Sequence, residues 1–147
     1  MKTVYIIFCI FAFIIQSNVA HNNTSNFDYE KAHQEYVDSI TKDIDRATVY
    51  QAVPEQTNED NFTTASGFKL NKEFDHYKYR TLAVSRDLLK EGFIEYGDTV
   101  KVSGTDIYDG KWIVRDTMNK RYKRTIDFLI DLDMPMGKWN NVEIKLV

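Results

Sequence analysis

Six short runs rich in β-branched and aromatic residues crowd into the last hundred or so positions: "ATVYQAV", "TLAVSRDLL", "DTVKVSG", "KWIVRDTM", "TIDFLI" and "NNVEIKLV". Polar or Gly-containing turns separate them. That many strands in about 100 residues predict a mainly β domain, a small barrel or a sandwich. Upstream, Tyr29, Ala32, Tyr36, Val37, Ile40 and Ile44 recur at spacings of three and four. They predict one amphipathic helix over Asp28 to Arg46, with Ser25 and Asp28 placed as a capping box.

The chain opens "MKTVYIIFCIFAFIIQSNVA", one lysine followed by an apolar run from Val4 to Ile15 and a polar segment ending in Ala20. A span needs roughly 20 apolar residues, so the run predicts a cleaved secretory signal over 1–20 and no stable membrane insertion of the product. The expected organisation is a signal over 1–20, a helical segment over 21–46 and a β domain over 47–147. Cys9, the only cysteine, leaves with the signal, so the exported product must be stable without a disulfide. Loss of Lys2 leaves one basic residue fewer than the chain's 19, against 22 acidic ones, and so a net charge of −4. That balance argues against nucleic-acid binding. His21, His33 and His76 are scattered, so no metal site and no cofactor are expected. A monomer in the periplasm or cell envelope is the simplest product.

Asp116 and Asp127 stand eleven positions apart, each at the edge of an apolar strand-like run. Strict alternation puts Trp112, Val114 and Asp116 on one face of their run. In the other, Ile126, Phe128 and Ile130 form the more apolar face and Asp127 shares its side with Leu129 and Asp131. A hairpin turning at Arg121 and Tyr122 would set the aspartates opposite each other, with Cβ atoms about 4.5 to 5.5 Å apart. Two partly desolvated carboxylates at that range raise one pKa, which is what a general acid needs. Aspartate at a strand end also satisfies backbone N–H groups, so the spacing leaves a structural role open.

The segment "DTMNKRYKRTID" resembles the signature of the three-aspartate (3D) domain, in which an "ADTGG" element is followed at the same interval by "RID" and an apolar strand. "TASG" (64–67) resembles the upstream "TATG" element, "LAVS" (82–85) resembles "IAVD", and "YGDTVKV" (96–102) resembles "LGTKVYV". Ordered along nearly all of 47–147, these elements imply a six-stranded double-psi β-barrel, the fold shared with lytic transglycosylases of the murein sacculus and with expansin-like proteins. The resemblance makes Asp127 the catalytic acid and base and Asp116 its supporting carboxylate. Ser85 stands where the first family aspartate falls, and Asp87, two residues on, has the same strand parity. Met118 and Asn119 replace the glycine pair, and "KEGFIE" is inserted before Tyr96.

The implied function is that of an exported cell-wall protein acting on peptidoglycan or a related glycan, as a metal-independent lytic transglycosylase. A non-catalytic, expansin-like glycan-binding module of the envelope is the alternative. Substrate contacts are expected from Thr64 and Ser66, whose hydroxyls can hold a sugar or an aspartate, and from Ser85 and Asp87. Arg121, in a basic turn, is placed to meet stem-peptide carboxylates, and Tyr122 to stack on a sugar ring.

Overall fold

The computed structural model describes residues 23–53, 62–71 and 75–147. The signal reading over 1–20, Cys9 and residues 54–61 and 72–74 of the polar stretch that follows "ATVYQAV" lie outside the described residues. The chain divides between Val37 and Asp38 into two units.

Helix α1, Asn23–Ile40, supplies the described part of the first unit and ends just past that boundary. It begins before Ser25, so the capping box expected there does not mark its start. Tyr29 and Tyr36 are exposed, Tyr29 stacks on His33 at 6.1 Å, and Lys31 pairs with Glu35 one turn on. Among the described residues no helix is long and apolar enough to cross a membrane.

The second unit is a closed barrel of six strands: β1 (Thr41–Gln51), β2 (Thr81–Val84), β3 (Thr99–Ser103), β4 (Gly110–Thr117), β5 (Thr125–Ile130) and β6 (Lys138–Leu146). Their order around the barrel is β1-β5-β2-β4-β3-β6. β1 runs parallel to β5 and β2 parallel to β4, while the other four pairings are antiparallel. Exchanging β1, β2 and β3 with β4, β5 and β6 leaves every pairing and its direction unchanged. The connectivity thus has an internal twofold, and closure removes any sheet edge.

Two parts of the sequence reading are corrected. Thr41–Arg46, expected as the end of the helix, form the first half of β1. "SRDLL" is not strand: Ser85 precedes the short helix α2, Arg86–Lys90.

Strand alternation fills the interior. Ala47 and Val49, Leu82 and Val84, Val100 and Val102, Trp112 and Val114, Ile126, Phe128 and Ile130, and Val142 and Ile144 form one buried cluster. Its centre is aromatic, with Trp112 4.6 Å and Tyr108 5.5 Å from the Phe128 ring. The polar ends of these rings are satisfied: the Trp112 indole N–H donates to the Tyr108 carbonyl at 2.7 Å, and the Tyr108 hydroxyl donates to the Pro135 carbonyl. A second, smaller cluster lies on the other face of the sheet. There Ala52, Leu70 and Leu129 are packed by Tyr50, Phe62, Phe68 and Tyr79.

Candidate functional site

With Val49 and Phe128 pointing inward, their neighbours Thr48, Tyr50, Asp127 and Leu129 point out, beside the second cluster. Thr48 is the register partner of Asp127 and Tyr50 that of Leu129. On the far side of β5, Ala83 of β2 pairs with Asp127, and the same Ala83 pairs with Asp116 of β4. The aspartates therefore flank one small residue. β4 and β5 do not form the expected hairpin; β2 lies between them, which sets their backbones roughly 10 Å apart rather than one strand spacing.

Asp116 reaches this face through a break in alternation. The register of β2 against β4 steps from Leu82↔Val114 to Ala83↔Asp116, so β4 spends one extra residue, Arg115, at a bulge. Strict alternation would leave Asp116 beside Trp112 and Val114 in the core. The bulge turns it out to join Asp127, as bulges re-aim side chains at sites elsewhere.

The two carboxylates are held differently. Asp116 Oδ1 accepts the Ala65 N–H at 2.9 Å and the Thr117 N–H at 2.8 Å, and Oδ2 accepts the Tyr50 hydroxyl at 3.1 Å. Both its oxygens are engaged. Asp127 Oδ1 accepts the Thr48 hydroxyl at 2.8 Å, and Oδ2 has no hydrogen bond among the described residues. Burial pushes the Asp127 carboxyl up from 3.8 to about 7, the Thr48 hydroxyl works against this, and the Asp116 charge adds to it. Burial, not the mutual repulsion expected from a hairpin, is the larger cause. Burial also drives the Tyr50 hydroxyl well above its ordinary value, helped by the charge and hydrogen bond of Asp116 and the charge of Asp127.

The "TASG" element does come to this site, by its backbone. Thr63 and Lys69 bridge as a small hairpin, Gly67 turns it at φ +83°, and the Ser66 N–H donates to the Arg115 carbonyl at the bulge. This presents the Ala65 N–H to Asp116. The hydroxyls expected to face an aspartate or a sugar serve the hairpin instead: Thr64 and Ser66 are 3.0 Å apart, and Thr64 also donates to the Phe68 carbonyl. Phe68 lies under the Arg115 guanidinium at 3.9 Å, which in turn donates to the Tyr79 carbonyl. The hairpin is thus tied to β4 at three points.

Ser85 and Asp87 hold the entry to β5. The buried Ser85 hydroxyl accepts the Thr125 N–H at 3.0 Å, and Asp87 Oδ2 accepts the Arg124 N–H at 2.9 Å. Burial acts to raise the Asp87 carboxyl, but the Arg124 N–H, the Ser85 hydroxyl and its own N–H hold it below the usual range. Arg121 and Tyr122 engage each other in the turn after β4, the guanidinium 4.9 Å over the ring and donating to its hydroxyl at 2.9 Å. None of these four bonds to Asp116 or Asp127.

Thr48, Tyr50, Ala83 and the Ala65 N–H are site groups that sequence reasoning missed. The parity of "ATVYQAV" was the available signal: once Val49 faces inward, Thr48 and Tyr50 must face the other way. Among the described residues no group of three or more His, Cys, Asp or Glu side chains is arranged to hold a metal. No family model, curated protein or solved structure matches the chain.

Proposed function

We propose that this barrel is an exported, glycan-active protein of the cell envelope, and that Asp127 is its general acid and base in the lytic cleavage of peptidoglycan. One observation carries the reading: Asp127 has a carboxyl pushed to about 7 and an oxygen, Oδ2, with no hydrogen-bond partner among the described residues. A carboxyl with that proton affinity gives and recovers a proton readily near neutral pH.

The proposed reaction needs one such group. Protonated Asp127 donates to the glycosidic oxygen as the C1–O bond breaks, and the departing sugar keeps that proton. The resulting carboxylate takes the proton of the C6 hydroxyl on the other sugar, whose oxygen bonds to C1 and closes a 1,6-anhydro ring. Asp127 ends protonated, and no water is consumed. Asp116, with both oxygens engaged, contributes a fixed negative charge that helps keep the Asp127 proton in place.

The test is incubation of the purified protein with purified sacculi, followed by mass spectrometry of the released fragments. The reading expects 1,6-anhydro products from the wild type and their loss in Asp127→Asn, with sacculus binding retained. Reducing-end products would mean hydrolysis. Binding without release at any pH would make the barrel a non-catalytic glycan-binding module.

A further inference from the structure

Tyr50 is on β1 and Asp116 on β4, with β5 and β2 between them in the sheet. The hydrogen bond from the Tyr50 hydroxyl to Asp116 Oδ2 therefore spans the two strands that carry Asp127 and Ala83. Ala83 offers only a methyl group beneath it, and Leu129, the register partner of Tyr50, is fully buried at its base. The two donors to Asp116 Oδ1 are backbone N–H groups, one fixed by the adjoining peptide and one by the 63–69 hairpin. Among the described residues the Tyr50 hydroxyl is the sole donor to Oδ2 and the only side chain that hydrogen-bonds to this carboxylate.

We infer that Tyr50 is a positioning residue that sets the proton affinity of Asp127 by holding and partly offsetting the charge of Asp116. This rests on the reading of Asp127 as the acid of the site, but it makes a separate physical claim. The positive end of the Tyr50 O–H dipole lies on Asp116 Oδ2, so less of the Asp116 charge is felt at Asp127 than the bare carboxylate would impose. The other groups bearing on Asp127 are the Thr48 hydroxyl, which favours the ionised form, and burial, which disfavours it. Tyr50 makes no hydrogen bond to the Thr48 hydroxyl or to Asp127; its hydroxyl also feels the Asp127 charge directly, but its hydrogen-bonded hold on the site is to Asp116.

The experiment is carbon-detected NMR titration of the Asp127 carboxyl in the full chain, in wild type, Tyr50→Phe, Asp116→Asn and the double variant. Tyr50→Phe is expected to raise the Asp127 midpoint by about half a pH unit or more, because more of the Asp116 charge then opposes ionisation. Asp116→Asn is expected to lower it, and Tyr50→Phe is expected to add nothing in the Asp116→Asn background. A midpoint unmoved in Tyr50→Phe overturns the inference, as does an equal shift in both backgrounds, which would mean Tyr50 acts on Asp127 directly. Should Tyr50→Phe not fold, the Asp116→Asn arm still decides: an unmoved midpoint there removes the route through Asp116. These midpoints are read without turnover, so absence of 1,6-anhydro products counts against the enzymatic reading alone. Where turnover is present, the high-pH limb of its profile should follow the same shift in Tyr50→Phe.

Discussion

Thr48 and Asp127 are register partners on parallel strands, and the threonine hydroxyl donates to the aspartate at 2.8 Å. The bond favours the ionised carboxyl, against the burial that favours the protonated one. Thr48→Val keeps the shape of the side chain and removes the donor. The Asp127 midpoint should then rise above about 7, by on the order of half to one pH unit for a lost hydrogen bond of about 1 kcal/mol. The NMR titration that measures it also tests the assignment of the bond, since a midpoint that falls would require Thr48 to accept a proton from Asp127.

Asp127 should also leave a signature in stability against pH. Its carboxyl titrates at about 7 when folded and at about 3.9 when unfolded. Between those values the folded chain holds a proton that the unfolded chain has released, so stability falls as pH rises through the window. At about 1.4 kcal/mol per pH unit, the full effect is at most roughly 4 kcal/mol. Asp127→Asn is neutral at every pH and lacks this slope. Urea unfolding from pH 4 to 8 should show the variant gaining on wild type as pH rises, with the gain levelling off above about pH 7. A constant difference across that range would mean Asp127 is solvated.

What the sequence made legible follows from which signals are local. "TIDFLI" is β5 to the residue, with Ile126, Phe128 and Ile130 inside and Leu129 buried on the other face. The beginning of β1 was hidden by a break in its burial pattern. Its register with β6 is unbroken through Ile44↔Val142 and Arg46↔Asn140, yet the next buried position after Ile44 is Ala47. That step of three, after the step of four from Ile40 to Ile44, reproduces a helical period. The bulge at Arg115 was equally silent, because an extra residue in one strand is defined by its partner and not by its own side chain. Asp116 was therefore assigned to the wrong face. Its closeness to Asp127 depends on β2 lying between them, which no local pattern announces.

The hairpin that brings Ala65 to Asp116 depends on Gly67, whose φ of +83° lies in the left-handed region. A Cβ there would meet nothing within 4 Å, so the cost of Gly67→Ala is conformational rather than steric. About 1 kcal/mol of destabilisation is expected. Because the strain falls on the 63–69 turn, it should show first as faster hydrogen exchange at the Ala65 amide, ahead of the amides of β5. Uniform acceleration across the barrel would mean the hairpin and barrel open only together.

Ala83 supplies the last prediction. It is the only residue that pairs with both Asp116 and Asp127, and its side chain is almost fully covered. A side chain this small between the two strands lets Tyr50 reach across to Asp116. Ala83→Val adds bulk at that point and should cost about 1 to 3 kcal/mol by overpacking. It should also raise the Asp127 midpoint by excluding water further, and weaken the proposed glycan binding by adding bulk between the carboxylates. Ala83→Gly acts in the other direction: water gains access, the midpoint should fall, and the strand loses about 0.5 to 1 kcal/mol of stability. Opposite shifts in the two variants, read by carboxyl NMR with sacculus binding in parallel, would locate the burial of Asp127 at Ala83. A midpoint of about 7 in both would assign that burial to the cluster around Leu129 and Tyr50, and Leu129→Ala would then be the variant that lowers it.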